Sequence, residues 1–526
     1  MQKRFNDTGV CIPKRHYMVD TTSKLEQVIQ LVDWGEYFTI NRPRQFGKTT
    51  TLFLLDKALN RLDAYLSLRI SFEGIDNQTH QNDKAFINEF LILLAQRLSF
   101  LGWPDLSDTI EQIRLTVTTL PELSRFISKL VQLSPEKQWV LMIDEVDKSS
   151  NNQLFLDFLG LLRNKYLNRD DGEATFQSVI LAGVHDIKTL KQKIRPNNSS
   201  GYNSPWNIAA DFKVDLSFSA PEIETMLTQY GQEKAAEINI ASVAERLYYY
   251  SSGYPYLVSK LCKFIDEDIL PPRADKNWSL ADVETAFAMI VGQAYTTTLF
   301  DSLTKNLENN EELYDLVFQI VINGERITFT IANPIINLAH LYGIIVPSPR
   351  GHCQIHNRIF EQRIYDYMLS KFIQKKHSEV NRFGGPNFYT ANGLDMPLIL
   401  QRFQAFMKEH YSDRDTRFIE REGRLLFLAY LRSIINGIGF DFKEPNVSHE
   451  RRMDLVITYQ DKRYVVELKI WRGQQYHEEG LDQLSDYLDS YSLKEGYLLI
   501  YDFNKSKTYR EEQIQHQDKS IFAVWV

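Results

Sequence analysis

The stretch NRPRQFGKTT, residues 41–50, closes on Gly47-Lys48-Thr49. That tripeptide is the tail of the phosphate-loop pattern G-x-x-x-x-G-K-[ST], whose backbone N–H groups cradle phosphates at a helix N-terminus. Lys48 would reach the β- and γ-phosphates and Thr49 would hold Mg²⁺. The pattern's first glycine belongs at position 42, where the sequence has Arg42, followed by Pro43. A second acidic pair supplies the rest of such a site. The run QWVLMIDEVDKSS carries apolar residues from Trp139 to Ile143 and ends in Asp144-Glu145. A buried strand that delivers two carboxylates at its end is a poor structural choice without a partner. As a nucleotide site it makes sense: Asp144 for the Mg²⁺ shell, Glu145 to orient the attacking water. A third constellation lies near the C-terminus, in RRMDLVITYQDKRYVVELKIW. Here Asp454, Glu467 and Lys469 suit metal-dependent phosphodiester cleavage. Two carboxylates bind a hard cation, Mg²⁺ or Mn²⁺, and the lysine positions water or offsets charge. Read alone, E-x-K is also what a Glu–Lys pair on the solvent face of a hairpin would give.

These residues need particular elements beneath them. Residues 36–40 read as a strand. Leu25, Val28, Ile29 and Val32 before it, and Leu52, Leu55, Leu59 and Leu62 after it, recur at helical spacing. A third strand, residues 178–184, leads to His185-Asp186, either γ-phosphate sensors or turn residues. Arg195, in a loop-rich stretch, is a candidate arginine finger. Ser219, Pro221 and Glu222 open a helix with a capping box. Gly253 and Pro255 precede an amphipathic helix with Leu257, Leu261 and Phe264. Residues 311–369 read as helices followed by a two-stranded wing. The second helix there has His340 but no Lys or Arg, so a packing role is expected in preference to DNA reading. The polar stretch 373–395, broken by Gly384-Gly385-Pro386, reads as a linker. In the last segment, 451–471 predicts a hairpin, with Asp454 opening its first strand and Gln460-Asp461-Lys462 as its turn. Tyr464, Val466, Leu468 and Ile470 share one face and Arg463, Val465, Glu467 and Lys469 the other. A preceding helix carries Glu420 and Glu422. A following one sets Gln483 and Tyr487 one turn apart. Lys443, Arg451, Arg452, Lys462, Arg463 and Arg472 could contact phosphates or simply be solvated.

At 526 residues the chain exceeds a single core, and about two to four domains are expected. No apolar run reaches the roughly 18 residues of a membrane span. The N-terminus shows no apolar signal region. Three scattered cysteines, Cys11, Cys262 and Cys353, suit a reducing cytoplasm and exclude a disulfide framework. A net charge of −8 excludes a chain coated in nucleic acid but leaves a local basic groove open.

Taken together, RPRQFGKTT, VLMIDEVD and SVILAGVHDIKTL resemble the bacterial and archaeal AAA-like ATPases with an R-P-R-x-F-G-K-[ST] loop, close to the STAND signalling NTPases. The resemblance covers roughly residues 10–370. It implies an ATP and Mg²⁺ site built from Arg42, Pro43, Gln45, Phe46, Gly47, Lys48, Thr49, Thr50 and Asp144, with Pro255 of the helical lid nearby. The series of acidic helix, D-hairpin-ExK, QxxxY helix and strand is similar to the PD-(D/E)XK nuclease fold over residues 400–526, with Met453 in place of the motif's proline. That resemblance implies an active triad of Asp454, Glu467 and Lys469, Glu422 as accessory metal ligand, and Gln483 with Tyr487 as the fourth motif. The expected architecture is α/β throughout: a P-loop NTPase core over 1–218, a lid over 219–300, a winged-helix module over 301–372, the linker, and a nuclease-like domain over 396–526. The expected function is nucleotide-controlled, metal-dependent cleavage of nucleic acid, DNA above all, in a prokaryotic cytoplasm, without a membrane and with self-association when ATP is bound. Phage defence would fit. Two rivals stay open: a STAND-like scaffold whose nuclease fold only binds, and an ATP-driven motor on DNA.

Overall fold

Strands buried on both faces of a parallel sheet read as unbroken apolar runs, and two such runs form the centre of the first sheet. The computed structural model describes residues 3–75, 79, 82–146, 152–184, 206–292, 295–323, 325–375, 388–390, 393–411, 416–435, 439–443, 454–459, 462–471, 473–504 and 508–526; of 416–421, 433, 439–443, 454, 475 and 476 only the backbone is described. The chain divides into two compact units, Met1–Tyr295 with Ala339–Gly343, and Thr296–Leu338 with Ile344–Val526.

In the first unit α1 (Thr22–Asp33) leads to β1 (Phe38–Asn41), α2 (Lys48–Leu59) and β2 (Tyr65–Ser71). Then come α3 (Asp83–Phe100), α4 (Pro104–Ile113), α5 (Leu120–Gln132), β3 (Gln138–Asp144), α6 (Gln153–Asn168) and β4 (Ser178–Gly183). The sheet order is β1-β4-β3-β2 and every pairing is parallel. All strand ends with loop residues or carboxylates therefore lie on one edge. Helix α2 stops at Leu59, short of Leu62, which is 46% exposed rather than on the packed face. The cause is local: the Asn60 amide donates to the Ser67 carbonyl at 3.0 Å and accepts the Ser67 N–H at 2.9 Å, turning the chain into β2. The same turn holds the buried Asp56, which accepts from Ser67 Oγ at 3.1 Å and pairs with Arg97 of α3. A buried network thus ties the helix after the loop to the sheet.

Helices α7 (Ala220–Lys234), α8 (Ile240–Ser251), α9 (Pro255–Phe264) and α10 (Leu280–Val291) follow. The capping box at α7 is formed as its sequence indicates, by Ser219 and Glu222.

The second unit opens with α11 (Thr298–Glu308) and α12 (Glu311–Val321). Helix α13 (Pro334–Leu341) precedes the hairpin β5 (Ile345–Pro347) and β6 (Cys353–Ile355), and α14 (Arg358–Lys375) closes the group. Helices followed by a two-stranded wing are present, as expected. The stretch expected to be a linker is shorter than 373–395. Helix α14 runs through Lys375, and β7 (Tyr389–Thr390) pairs with β8 (Gly393–Leu394) at its far end. Gly384, Gly385 and Pro386 lie outside the described residues.

Next come α15 (Met396–His410), α16 (Thr416–Ile435), β9 (Gly439–Lys443), β10 (Asp454–Tyr459), β11 (Lys462–Ile470), α17 (Gln474–Ser490), β12 (Glu495–Tyr501), β13 (Glu511–His516) and β14 (Lys519–Trp525). The sheet order is β13-β14-β12-β11-β10-β9, with β11, β12 and β14 parallel and the rest antiparallel. The wing group falls in this unit except for Ala339–Gly343, which takes in the end of α13 and is grouped with the first unit. An ion pair of 2.6 Å between Arg432 of α16 and Asp366 of α14 is one of the ties. Among the described residues no helix is long and apolar enough to cross a membrane.

Candidate functional site

Ligands of open α/β sheets sit outside the carboxyl ends of the strands, and the loop between β1 and α2 stands at that edge. The Arg42 N–H donates to Gly183 O at 3.2 Å and carries the β1–β4 pairing one residue further. The left-handed residues of the loop are Gln45 (φ 57°) and Gly47 (φ 82°), not Arg42. A side chain at position 42 therefore meets no backbone objection, which is why the loop tolerates losing its first glycine. The Arg42 guanidinium donates to Asn41 O at 2.9 Å and Val214 O at 2.8 Å and lies 5.3 Å from the Phe212 ring. Burial lowers its pKa. Through these contacts the side chain anchors the loop to the 212–214 segment.

Lys48 is buried, and its ammonium donates to the carbonyls of Arg42 and Pro43, both at 2.8 Å. Gly47 caps α2 directly below Pro255: a Cβ there would lie 3.8 Å from the proline ring. Thr49 is half-buried. The Thr50 hydroxyl accepts the Cys11 N–H at 3.2 Å. Asp144, 3% exposed, ends β3, and its Oδ1 accepts the Glu145 N–H at 3.0 Å. Glu145 itself sits at φ 56°, a conformation that residues with a Cβ adopt only when their surroundings impose it. His185, Asp186 and Arg195 lie outside the described residues.

An AAA-like domain matches residues 10–341, more than half of the chain. The chain belongs to the AAA-like domain family. Solved structures with a similar course include the Walker-type ATPase of Pyrococcus abyssi, at 11% identity and TM-score 0.46 over 69% of this chain and 99% of that one. The ORC2 protein of Aeropyrum pernix, in ADPNP–ADP complexes, follows at 13% and 0.42 over 71% and 98%. Drosophila ORC bound to DNA follows at 13% and 0.34 over 69% and 81%. The scores are low, and the family match carries the assignment. No curated protein matches.

The turn that leads into α9 grips the loop through aromatic residues. The Phe46 ring meets Tyr254 edge-on at 4.8 Å, and the Tyr254 hydroxyl donates to Arg44 O. Pro255, next in sequence, is the first residue of α9. Gly253 makes this possible: at φ 69° it packs so closely on Phe218 that a Cβ would lie 1.9 Å from the Phe218 carbonyl oxygen. One further part of the site carries no motif. Residues 4–17 form a loop that joins the phosphate loop to α9. Asp7 pairs with Lys260 at 2.8 Å and Lys263 at 2.7 Å, and Ser259 Oγ donates to Asn6 O at 2.7 Å. Burial alone would raise the Asp7 pKa, but the two ammonium groups outweigh it and hold it below the ordinary value. The available signal was Gly9 and Pro13 as turn formers between the aromatic anchors Phe5 and Tyr17, both buried.

The second candidate site lies in the other unit. Register sets Asp454 opposite Glu467. Glu467 and Lys469 face α17, not solvent: both are buried, in line with Val465, which shares a core with Leu481, Leu484 and Tyr487. The solvated-pair reading of E-x-K therefore does not hold. Lys469 Nζ lies 3.1 Å from Glu467 Oε1 and donates to Gln483 Oε1 at 3.3 Å. Among the described residues, Glu467 Oε2 is buried without a hydrogen-bond partner. A buried carboxylate oxygen left bare is costly, and a divalent cation is one group that would satisfy it. Among the described residues no three His, Cys, Asp or Glu side chains are grouped to hold a metal; the side chains of Asp454 and Glu420 lie outside them. Glu422 is half-buried on α16 beside Gly423, whose carbonyl accepts the Tyr501 hydroxyl at 2.8 Å. Alternation along β12 puts Tyr501 on the face opposite Leu498 and Ile500, which pack with α17. The structure thus joins Glu467, Lys469 and Gln483 and sets α16 on the other face. Lys462 and Arg463 are exposed on the hairpin, with Arg463 5.4 Å from the Tyr491 ring. Arg451, Arg452, Arg472 and the side chain of Lys443 lie outside the described residues.

Proposed function

We propose that this protein binds and hydrolyses ATP in its AAA-like unit and uses the nucleotide state to control metal-dependent cleavage of nucleic acid, DNA first, at the Glu467 site. The observation that carries the second half is the bare, buried Oε2 of Glu467 beside the Lys469 ammonium. In the AAA-like unit, Lys48 exchanges the Arg42 and Pro43 carbonyls for phosphate oxygens, Thr49 and Asp144 would hold Mg²⁺, and Glu145 orients the attacking water. In the second unit, Asp454 and Glu467 would hold Mg²⁺ or Mn²⁺. When bound, that cation polarises the phosphodiester and makes its water more acidic. Lys469 holds its ammonium against one oxygen of Glu467, which leaves the other as the oxygen that would take a cation. The same ammonium offsets charge that develops on the phosphate. Gln483 steadies the lysine. Nucleic acid is the partner this reading requires, and self-association of ATP-bound copies accompanies it.

Plasmid nicking with Mg²⁺ or Mn²⁺, with and without EDTA, tests the reading. Cutting is expected with the cation, lost with EDTA, and lost in Asp454→Ala, Glu467→Ala and Lys469→Ala. Mn²⁺ binding should weaken in the two carboxylate variants and persist in Lys469→Ala. Undiminished cutting by Glu467→Ala would reject the site. A wild type that cuts nothing in any nucleotide state would reject the activity.

A further inference from the structure

Gly480 lies inside α17 and is buried. Its backbone conformation is not left-handed, so the chain there does not call for glycine. Glycine inside a helix is destabilising relative to alanine, so its presence needs another reason. A Cβ at position 480 would lie 2.1 Å from Lys469 Nζ, 2.8 Å from Cε and 2.9 Å from Cδ. The outer half of the lysine therefore runs across the space where a side chain would stand. Gln483, one turn further along the helix, receives the tip of the same lysine at 3.3 Å. Glu467 closes the other side at 3.1 Å.

We propose that Gly480 is a positioning residue: by carrying no side chain it opens the slot through which Lys469 brings its ammonium between Glu467 and Gln483. A methyl group at 480 would stand within 3 Å of three successive atoms of the lysine, so the flexible end of that side chain, and not its tip alone, has to shift. Lys469 is only 9% exposed, so its end leaves a largely buried setting when it shifts. The lysine must leave its place, and α17 keeps its own. The catalytic consequence rests on the proposed cleavage; the steric part does not.

The test uses the full chain and two readouts. Gly480→Ala should lower the melting temperature in the wild-type background. In the background Glu467→Gln/Lys469→Ala, which removes the lysine without stranding its acid, the same change should leave the melting temperature unchanged or raise it. An equal loss in both backgrounds overturns the proposal, whatever the protein cleaves. On plasmid with Mn²⁺, Gly480→Ala should cut more slowly by on the order of a hundredfold, as expected of a displaced catalytic group. Its KM for DNA and its Mn²⁺ binding should stay at wild-type values. Wild-type cutting by Gly480→Ala overturns the proposal and leaves the nuclease reading standing. A wild type without cleavage removes that reading, and the melting comparison still decides the role of Gly480.

Discussion

Two main-chain carbonyls hold the Lys48 ammonium inside its own loop at 2.8 Å. Phosphate oxygens would replace neutral acceptors with charged ones, and charge-assisted hydrogen bonds are the stronger kind. Lys48→Ala is therefore expected to abolish high-affinity ATP binding, measured by titration with a fluorescent ATP analogue; affinity equal to wild type would remove the phosphate-loop assignment. Glu145→Gln keeps size and polarity and loses the base. It should bind ATP as wild type does while turnover falls by about a hundredfold or more. Rapid turnover in that variant would place the water-orienting role elsewhere. The residue types of both sites are legible in the sequence, because few combinations put Lys-Thr after glycine and two acids after an apolar run. Burial is not legible at that level. E-x-K reads equally as a solvated pair until α17 is seen to cover it, and Gly480 has no meaning before Lys469 is placed against it.

At the scale of elements, legibility follows range. The Ser219–Glu222 capping box and the Asp454–Glu467 register are local, and both are formed. The N-terminal loop is not local: Asp7 finds Lys260 at a separation of 253 residues, a pairing no periodicity announces. Element ends shift for similar reasons, since β1 begins at Phe38, where Ile180 of β4 stands opposite it, and not at the first β-rich residue. The turn between α8 and α9 is a sharp test of an element. Gly253→Ala would force a methyl against the Phe218 carbonyl at a left-handed position, which is expected to destabilise the AAA-like unit by roughly 2 kcal/mol or more. Thermal melting and ATP affinity should both report it; an unchanged melting temperature would mean the turn opens freely. The N-terminal loop gives a pH test. His16 Nδ1 accepts the Ile12 N–H at 2.9 Å, so the loop is built on the neutral ring. Burial first, then the charges of Arg4 and Arg15, lower its pKa below 6.5. The unfolded loop then binds the proton that the folded loop refuses, so stability rises with pH across the window between the lowered value and 6.5. Acidification from pH 7 to pH 5 should lower the hydrogen-exchange protection factors over residues 4–17, that is, protection after correction for the intrinsic pH dependence of exchange, and His16→Gln, which keeps an acceptor without titrating, should flatten that response. A slope unchanged in His16→Gln would assign the effect to another group.

For the whole molecule, the question is why one chain carries both units. The AAA-like unit supplies a site whose occupancy has distinct chemical states, and the unit from Thr296 onward supplies the candidate cleavage site. Coupling requires that ATP favour one arrangement of the AAA-like unit over another, since a ligand that binds two states equally shifts nothing. To move a population from 1:99 to 99:1 takes about 5.5 kcal/mol of differential affinity. The parts that could supply it meet around the phosphate loop: Lys48 exchanging carbonyls for phosphate, the Phe46–Tyr254 contact before α9, and the N-terminal loop that links Thr50 to α9. Each would change when a γ-phosphate and Mg²⁺ are bound, and each lies in the same unit, so the switch needs no contact beyond it to begin. The expected outcome is cleavage by the full chain that rises with a non-hydrolysable ATP analogue, stays low with ADP or without nucleotide, and loses its nucleotide dependence in Lys48→Ala. The measurement is the initial nicking rate in each state at one fixed Mn²⁺ concentration, so that metal loading does not vary. Equal rates in all three states would reject gating while leaving the ATPase and cleavage sites to stand on their own tests.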